Sequence, residues 1–493
     1  MIRLIEIRDP IRLEDQAGYV HLSEAVRRLR MQAEMVVPRL QGRKVWMVSS
    51  TEKGGGVAEM MPKLISILRE LGIDIDWGVA ATEEKAFFPL TKRIHNLIHD
   101  SGEPGFDAED KDLYDRVSRN LAGEMARFID PGDILVVHDP QPLGMGSYVK
   151  QHTGVPAIWR CHIGVDRQTQ STDSAWKFLK PYAEAYEHAV FSAAEYIPPY
   201  LAGKTSIIYP SIDPLGHKNR ELSVHKLIGI LTNAAMISES HPVLTPPWRH
   251  QAMRLQPDGR FAAANTANGM GLLYRPIVTQ ISRWDRLKGW EPLLKAFLRL
   301  KKRAPEYETK NARHKQRLEI ARLVFAGPDP SAVQDDPEGQ EVLESLIRLY
   351  QTLDPREQES VAILTLPMAS RKQNHLMVNA IQRCSTVVVQ NSIEEGFGLT
   401  ATEAMWKRMP VLASSACGLR QQIRDGIDGR LTRNPNDPEE IAENLNRMLS
   451  DPVSREMWGR NAQRRVHERF LVFSQVEEWL QQLAAVVAYP KAL

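Results

Sequence analysis

Short runs of apolar, largely β-branched residues recur along the chain, separated by turn residues and stretches of helical periodicity. In the first half they are V-W-M-V-S-S (45–50), I-D-I-D-W-G-V (73–79), D-I-L-V-V-H (133–138), A-I-W-R-C-H-I-G (157–164), H-A-V-F-S-A (188–193) and T-S-I-I-Y-P-S (205–211). The pattern restarts with R-P-I-V-T-Q-I-S (275–282), R-L-V-F-A-G-P (322–328), V-A-I-L-T-L-P (361–367), S-T-V-V-V-Q-N-S (385–392) and P-V-L-A-S-S-A (410–416). Strands apolar on both sides, alternating with helices, predict parallel sheets covered on both faces. The fold class expected is α/β, with two Rossmann-like doubly wound domains. A chain of 493 residues is long enough for both.

The domains expected are 43–215 and 275–474, with a connection and insertion at 216–274 that lacks sustained periodicity. Residues 1–42 read as an extension: Ile2, Leu4, Ile5 and Ile7, then a helical stripe of Leu22, Val26, Leu29 and Val36.

Open α/β sheets bind ligands beyond the carboxyl ends of their strands, so chemistry is sought there. The richest stretch is 391–409. Gly396 and Gly398 allow a tight loop whose N–H groups can face a ligand, and a helix begins near Thr400. Glu395 in the loop and Glu403 in the first helical turn stand eight residues apart and can serve one ligand. Arg283 and Lys288, five apart beyond the strand at 275, are two cations suited to a diphosphate. In the first half, Gly54, Gly55 and Gly56 open a helix directly after a strand, a cradle for a phosphate oxygen or a sugar hydroxyl. His138 beside Asp139, and His162 near Arg160, end the strands at 133 and 157.

Net charge is only +2 and Lys/Arg form no block, so no nucleic-acid partner is expected. Cys161, Cys384 and Cys417 lack metal-ligand spacing and fit reduced thiols. No run of about 18 apolar residues and no signal-peptide core occurs, so no membrane is expected and a cytoplasmic protein is. Asp74 and Asp76 fall inside a strand, leaving no D-x-D pair at a strand end; no metal requirement is expected.

E-G-F-G-L-T-A-T-E-A-M resembles the E-x7-E signature of retaining family-4 GT-B glycosyltransferases, and R-W-D-R-L-K-G resembles their R-x4-K-G diphosphate site. V-S-S-T-E-K-G-G-G-V-A-E, V-H-D-P-Q-P, W-R-C-H-I and Y-P-S-I-D-P-L resemble, within that group, the trehalose synthases that use a nucleotide-activated glucose. The resemblance implies two domains facing across a cleft, with the last helix (475–493) returning to the first. It implies that Arg283 and Lys288 hold the donor diphosphate, that Glu395 holds the donor sugar, and that Glu403 binds the ribose. Gly396, Phe397, Gly398, Leu399 and Thr400 would line the donor, with Gly55 and Gly56 approaching it. His162 would bond the donor sugar near its 6-hydroxyl; His138, Asp139, Gln141 and Arg160 are acceptor candidates. The co-substrate implied is ADP-, UDP- or GDP-glucose, without another cofactor. The partner is a small sugar or polyol, and a homodimer stays open. The implied reaction is glucose transfer to glucose with retention, by front-face attack rather than through a covalent bond to Glu395. Alternatives are transfer to glycerol, glycerate or a sugar phosphate, a retaining disaccharide phosphorylase on the same scaffold, and a non-catalytic nucleotide-sugar binder.

Overall fold

In the computed structural model, which describes residues 1–7, 10–52, 55–238, 247–265, 269–307, 312–330 and 337–488, the apolar runs become the strands of two separate sheets. They belong to two units: Met1–Asp213 together with the segment from Arg469, and Pro214–Glu468.

The first unit holds β1 (Ile2–Leu4), β2 (Val45–Ser49), β3 (Ile75–Ala80), β4 (Ile134–His138), β5 (Ala157–Arg160), β6 (His188–Phe191) and β7 (Thr205–Ile207). Their order is β1-β3-β2-β4-β5-β6-β7. All neighbours are parallel except β1, which runs antiparallel to β3 with Ile2 opposite Ala80. The chain leaves β2 toward β3 and returns on the other side to β4, so the switch point lies between β2 and β4.

The extension is built into this unit. It supplies edge strand β1 and the helix Val20–Val36, whose Leu22, Val26 and Leu29 are buried. That helix meets the C-terminal helix Val472–Ala488 through Arg28 Nε to Glu477 Oε1 at 2.7 Å and Gln32 Nε2 to the Glu477 carbonyl at 3.0 Å. The C-terminal segment joins earlier than the reading at 475: Leu471 bridges to Ile212 before the helix starts.

The second unit holds β8 (Met253–Leu255), β9 (Phe261–Ala263), β10 (Ile277–Ile281), β11 (Arg322–Pro328), β12 (Val361–Leu366), β13 (Val387–Gln390), β14 (Val411–Ser414) and β15 (Arg430–Thr432). Six strands run parallel in the order β15-β14-β13-β10-β11-β12, with a switch point between β10 and β13. The period-two pleat divides the core between two faces. Leu323 and Phe325 of β11 join Phe297 and Leu445 on one side, while Val324 and Ala326 join Met377 and Ile381 on the other. The stretch 216–274, expected as a connection with an insertion, is part of this unit. β8 pairs antiparallel with β12 and β9 with β8, and the helix Val224–Asn233 buries Ile230 and Leu231 in the second core face. Residues 239–246 and 266–268 of that stretch lie outside the described residues. No helix among the described residues is long and apolar enough to cross a membrane.

Candidate active site

In the second unit, β10 and β13 are parallel neighbours, with Val278 opposite Val387, so the loops after them emerge side by side at the switch point. The loop after β10 is anchored by two tryptophans. Trp284 is buried and donates from Nε1 to the Pro328 carbonyl at 2.7 Å, and its ring lies 4.8 Å from that of buried Trp290. Between them Asp285 Oδ1 accepts from the Leu287 N–H at 2.8 Å, and Gly289 takes φ +59° before the helix Trp290–Lys302. A Cβ at Gly289 would come within 2.2 Å of the Asn391 carbonyl oxygen, so the two loops touch only because this residue is glycine.

This clamp turns Lys288 inward. Its Nζ lies 2.7 Å from Glu395 Oε2, both side chains mostly buried. The same oxygen accepts from Ser392 Oγ at 2.9 Å and Gln390 Nε2 at 3.4 Å. Arg283 does not share that position: its side chain is 60% exposed and pairs with Asp285 Oδ2 at 3.1 Å. Gln280 ties the loops together, accepting the Asn391 N–H at 2.8 Å and donating to the Lys288 carbonyl at 2.8 Å. Asn391 Nδ2 adds a bond to the Gly289 carbonyl at 3.0 Å.

Gly398, at φ +88°, caps the helix Leu399–Trp406. Gly418 supports the loop from beneath, since a Cβ there would meet Phe397 Cα at 2.5 Å. Gln422 Nε2 donates to the Phe397 carbonyl, to that of Gly398 at 3.3 Å and to that of Gly418 at 3.2 Å, holding the turn from Gly396 to Gly398. Glu403 is buried one turn into the helix, with Lys218 Nζ 3.7 Å from its Oε1. The Thr400 carbonyl accepts from Gln382 Nε2 at 3.2 Å.

In the first unit, Gly55 and Gly56 open the helix Gly55–Glu70 after β2; Gly54 lies outside the described residues. His138 ends β4 opposite Arg160 at the end of β5. Asp139 follows with φ +67°, its N–H donating to the Arg160 carbonyl at 2.7 Å and its Oδ1 accepting the His162 backbone N–H at 2.8 Å. This brings the imidazoles together, His138 Nδ1 to His162 Nε2 at 3.0 Å. Arg160, an acceptor candidate, is turned inward. It is 1% exposed, and its Nη2 donates to Ser192 Oγ at 3.0 Å. Gln141 Oε1 is buried without a hydrogen-bond partner among the described residues.

Burial, with the Arg160 charge adding to it, pushes His138 down to about 3 and His162 well below its ordinary value, so both rings are neutral. Burial raises the Asp139 carboxyl to about 6 against the opposing His162 N–H and Arg160 charge. Two neutral rings sharing one hydrogen bond suit hydroxyl recognition rather than charge balance.

The sequence reading missed Gln280, Ser392, Asn391, Gln422 and Lys218. For Gln280, as for Gln390, a signal existed: a polar residue near the carboxyl end of an otherwise apolar strand.

Paired doubly wound units, each with a polar cluster at its switch point, are the architecture of GT-B glycosyltransferases. An α,α-trehalose-phosphate synthase (UDP-forming) from Burkholderia xenovorans shares the fold, with TM-score 0.62 at 14% identity over 90% of this chain and 100% of that one. Residues 47–198 match the family "Trehalose synthase, N-terminal domain", and 273–465 match "Glycosyl transferases group 1". The trehalose synthase of Pyrococcus horikoshii is 32% identical over 96% of each chain. A trehalose phosphorylase of Pleurotus pulmonarius is 24% identical over 83% of this chain and 52% of its own length. The chain belongs to the trehalose synthase family of glycosyltransferases.

Proposed function

We propose that the protein transfers glucose from a nucleoside-diphosphate glucose to glucose, with retention at the anomeric carbon, to give trehalose. The observation that carries this reading is the Lys288–Glu395 pair, 2.7 Å apart, beside the glycine-capped helix Leu399–Trp406. A buried ammonium and a helix N-terminus both favour the charge that gathers on a departing diphosphate. Glu395, engaged by Lys288, Ser392 and Gln390 through one oxygen, is a poor nucleophile and a good acceptor for sugar hydroxyls. Attack is then from the front face. The C1–O bond to phosphate breaks, the acceptor oxygen bonds C1, and its proton passes to the departing phosphate oxygen. Arg283 supplies a second cation to the diphosphate, so no metal is called on. Glu403 accepts from the ribose hydroxyls, and His162 bonds a sugar hydroxyl.

The test is an activity screen of ADP-, UDP- and GDP-glucose against glucose, glycerol and glycerate, with product linkage and configuration read by NMR and chelator present in parallel. Trehalose from at least one donor, unaffected by chelator, is expected. Lys288→Ala should lower kcat by roughly 10²–10³, as losing one preorganised charge-stabilising group does. The likeness to a trehalose phosphorylase supports a second reading. Trehalose cleaved by inorganic phosphate and not by a nucleoside diphosphate would establish that one and overturn the first.

A further inference from the structure

Lys407 follows the helix Leu399–Trp406 and is 4% exposed. Its ammonium has three N–H donors and reaches three neutral oxygens: the Glu403 carbonyl at 3.0 Å, Gln382 Oε1 at 2.8 Å and Asn219 Oδ1 at 3.2 Å. None of these is a carboxylate, although buried ammonium groups ordinarily pair with one. The three acceptors come from three segments that meet around Glu403. Gln382 donates in turn to the Thr400 carbonyl. Asn219 is next to Lys218, whose Nζ lies 3.7 Å from Glu403 Oε1. The turn holding Lys218 and Asn219 is itself fastened to the helix Arg371–Cys384, through Asn379 Nδ2 to the His217 carbonyl at 3.0 Å and Arg383 Nη2 to the Arg220 carbonyl at 3.1 Å. Lys407 therefore grips Glu403 by its own carbonyl and grips Lys218 through its chain neighbour.

We propose that Lys407 is a positioning residue for the donor, a buried ammonium that fixes Glu403 and Lys218 relative to each other so that the Glu403 carboxylate is aimed at the ribose. The inference rests on the function proposed above. A methionine in its place would fill the volume at less desolvation cost, but would take a donor away from all three oxygens and leave the Glu403 charge less balanced.

The charged groups bearing on Lys407 are Glu403 on its own helix, Arg383 on the helix Arg371–Cys384 and Lys218 on the preceding segment. Burial pulls the ammonium down to about 7; Glu403 opposes that, and Arg383 and Lys218 add to it. The grip is then full in acid and fades as pH rises through neutrality. The terminal phosphate of a free nucleoside diphosphate completes its ionisation at about pH 6–7, and the added charge strengthens binding to cations as pH rises, so its own titration cannot mimic a loss of affinity.

The experiment is calorimetric binding of ADP, UDP and GDP to wild type, Lys407→Met, Glu403→Gln and the double variant, between about pH 6.5 and 9. For the nucleotide that binds best, wild-type affinity should fall about tenfold or more across that range, the size of a lost charge-assisted hydrogen bond. Lys407→Met should bind weakly throughout without the pH step, and the double variant should be no weaker than Glu403→Gln alone. In turnover, KM for the donor should rise while KM for the acceptor holds. A flat wild-type profile overturns the inference without reference to any variant's folding, as does a pH step retained in Lys407→Met. A loss shared equally by donor and acceptor does so too. If wild type binds none of the three nucleotides, the proposed function falls, and this inference with it.

Discussion

Asp139 occupies φ +67°, a conformation that aspartate and asparagine tolerate better than most side chains, and from there its carboxylate collects the His162 backbone N–H. It places one imidazole against the other, at an electrostatic cost. Its carboxyl is raised from 3.8 to about 6, so the folded state holds the proton more tightly than the unfolded chain does. The stability from that proton is complete below the unfolded value and is lost as pH rises through about 6. Asparagine keeps the backbone conformation and an acceptor oxygen but cannot ionise. Asp139→Asn should therefore be more stable than wild type at about pH 7.5, by up to about 3 kcal/mol, with the gap narrowing toward about pH 5. Urea unfolding at both pH values checks this, and a gap independent of pH would contradict it. His138 and His162, held neutral by burial and the Arg160 charge, should show no ring titration by NMR between about pH 5.5 and 8.

At the scale of elements, the donor candidates depend on two loops that Gln280 helps to join. Its amide bonds the Asn391 N–H and the Lys288 carbonyl, and it is fully buried. Leucine has nearly the same shape and no hydrogen-bonding groups. Gln280→Leu should leave β10 paired with β11 and β13 but orphan one backbone donor and one acceptor, costing about 2–4 kcal/mol. Because the orphaned groups belong to Asn391 and Lys288, nucleotide binding should weaken along with stability. Denaturant unfolding and calorimetric binding on the same variant check both. Loss of stability with unchanged nucleotide affinity would show that Gln280 serves the sheet and not the loops.

Across the whole molecule, the second unit is continuous in sequence while the first is closed by the last segment of the chain. The helix Val472–Ala488 buries Phe473, Trp479, Leu480 and Leu483 within the first unit. At roughly 1.5–3 kcal/mol for each large apolar side chain, their removal approaches the whole stability of an ordinary domain. A chain ending at Glu468 should therefore lose the first unit's cooperative unfolding and keep the second's, which has its own two-faced core. Differential scanning calorimetry of full-length and truncated chains reads this directly: two intact transitions after truncation would refute it.

Much of the fold was legible because its cause is local. A run such as Val387–Gln390 is apolar on both faces, and that alone requires a covered parallel strand. The glycines and carboxylates of 391–409 were legible for the same reason, since helix starts and tight turns are written within a few residues. The direction of Arg160 was not legible because its strand, Ala157–Arg160, is buried on both sides, so no alternation tells which way its last side chain points. Only the pleat, and Ser192 just beyond the carboxyl end of the neighbouring strand, turn it inward. The stretch 216–274 was taken for a connection because β8 and β9 span three residues each, too few to show a period without the distant β12 they extend. Local propensity and patterning determined the strands, the helices and the residues offered at their ends. Tertiary structure decided which of those residues meet, because Lys288 and Glu395 are 107 positions apart and Lys407 and Asn219 are 188 apart. Contacts over such separations follow from the order of strands in a sheet, which depends on how whole elements pack and not on any single run of residues.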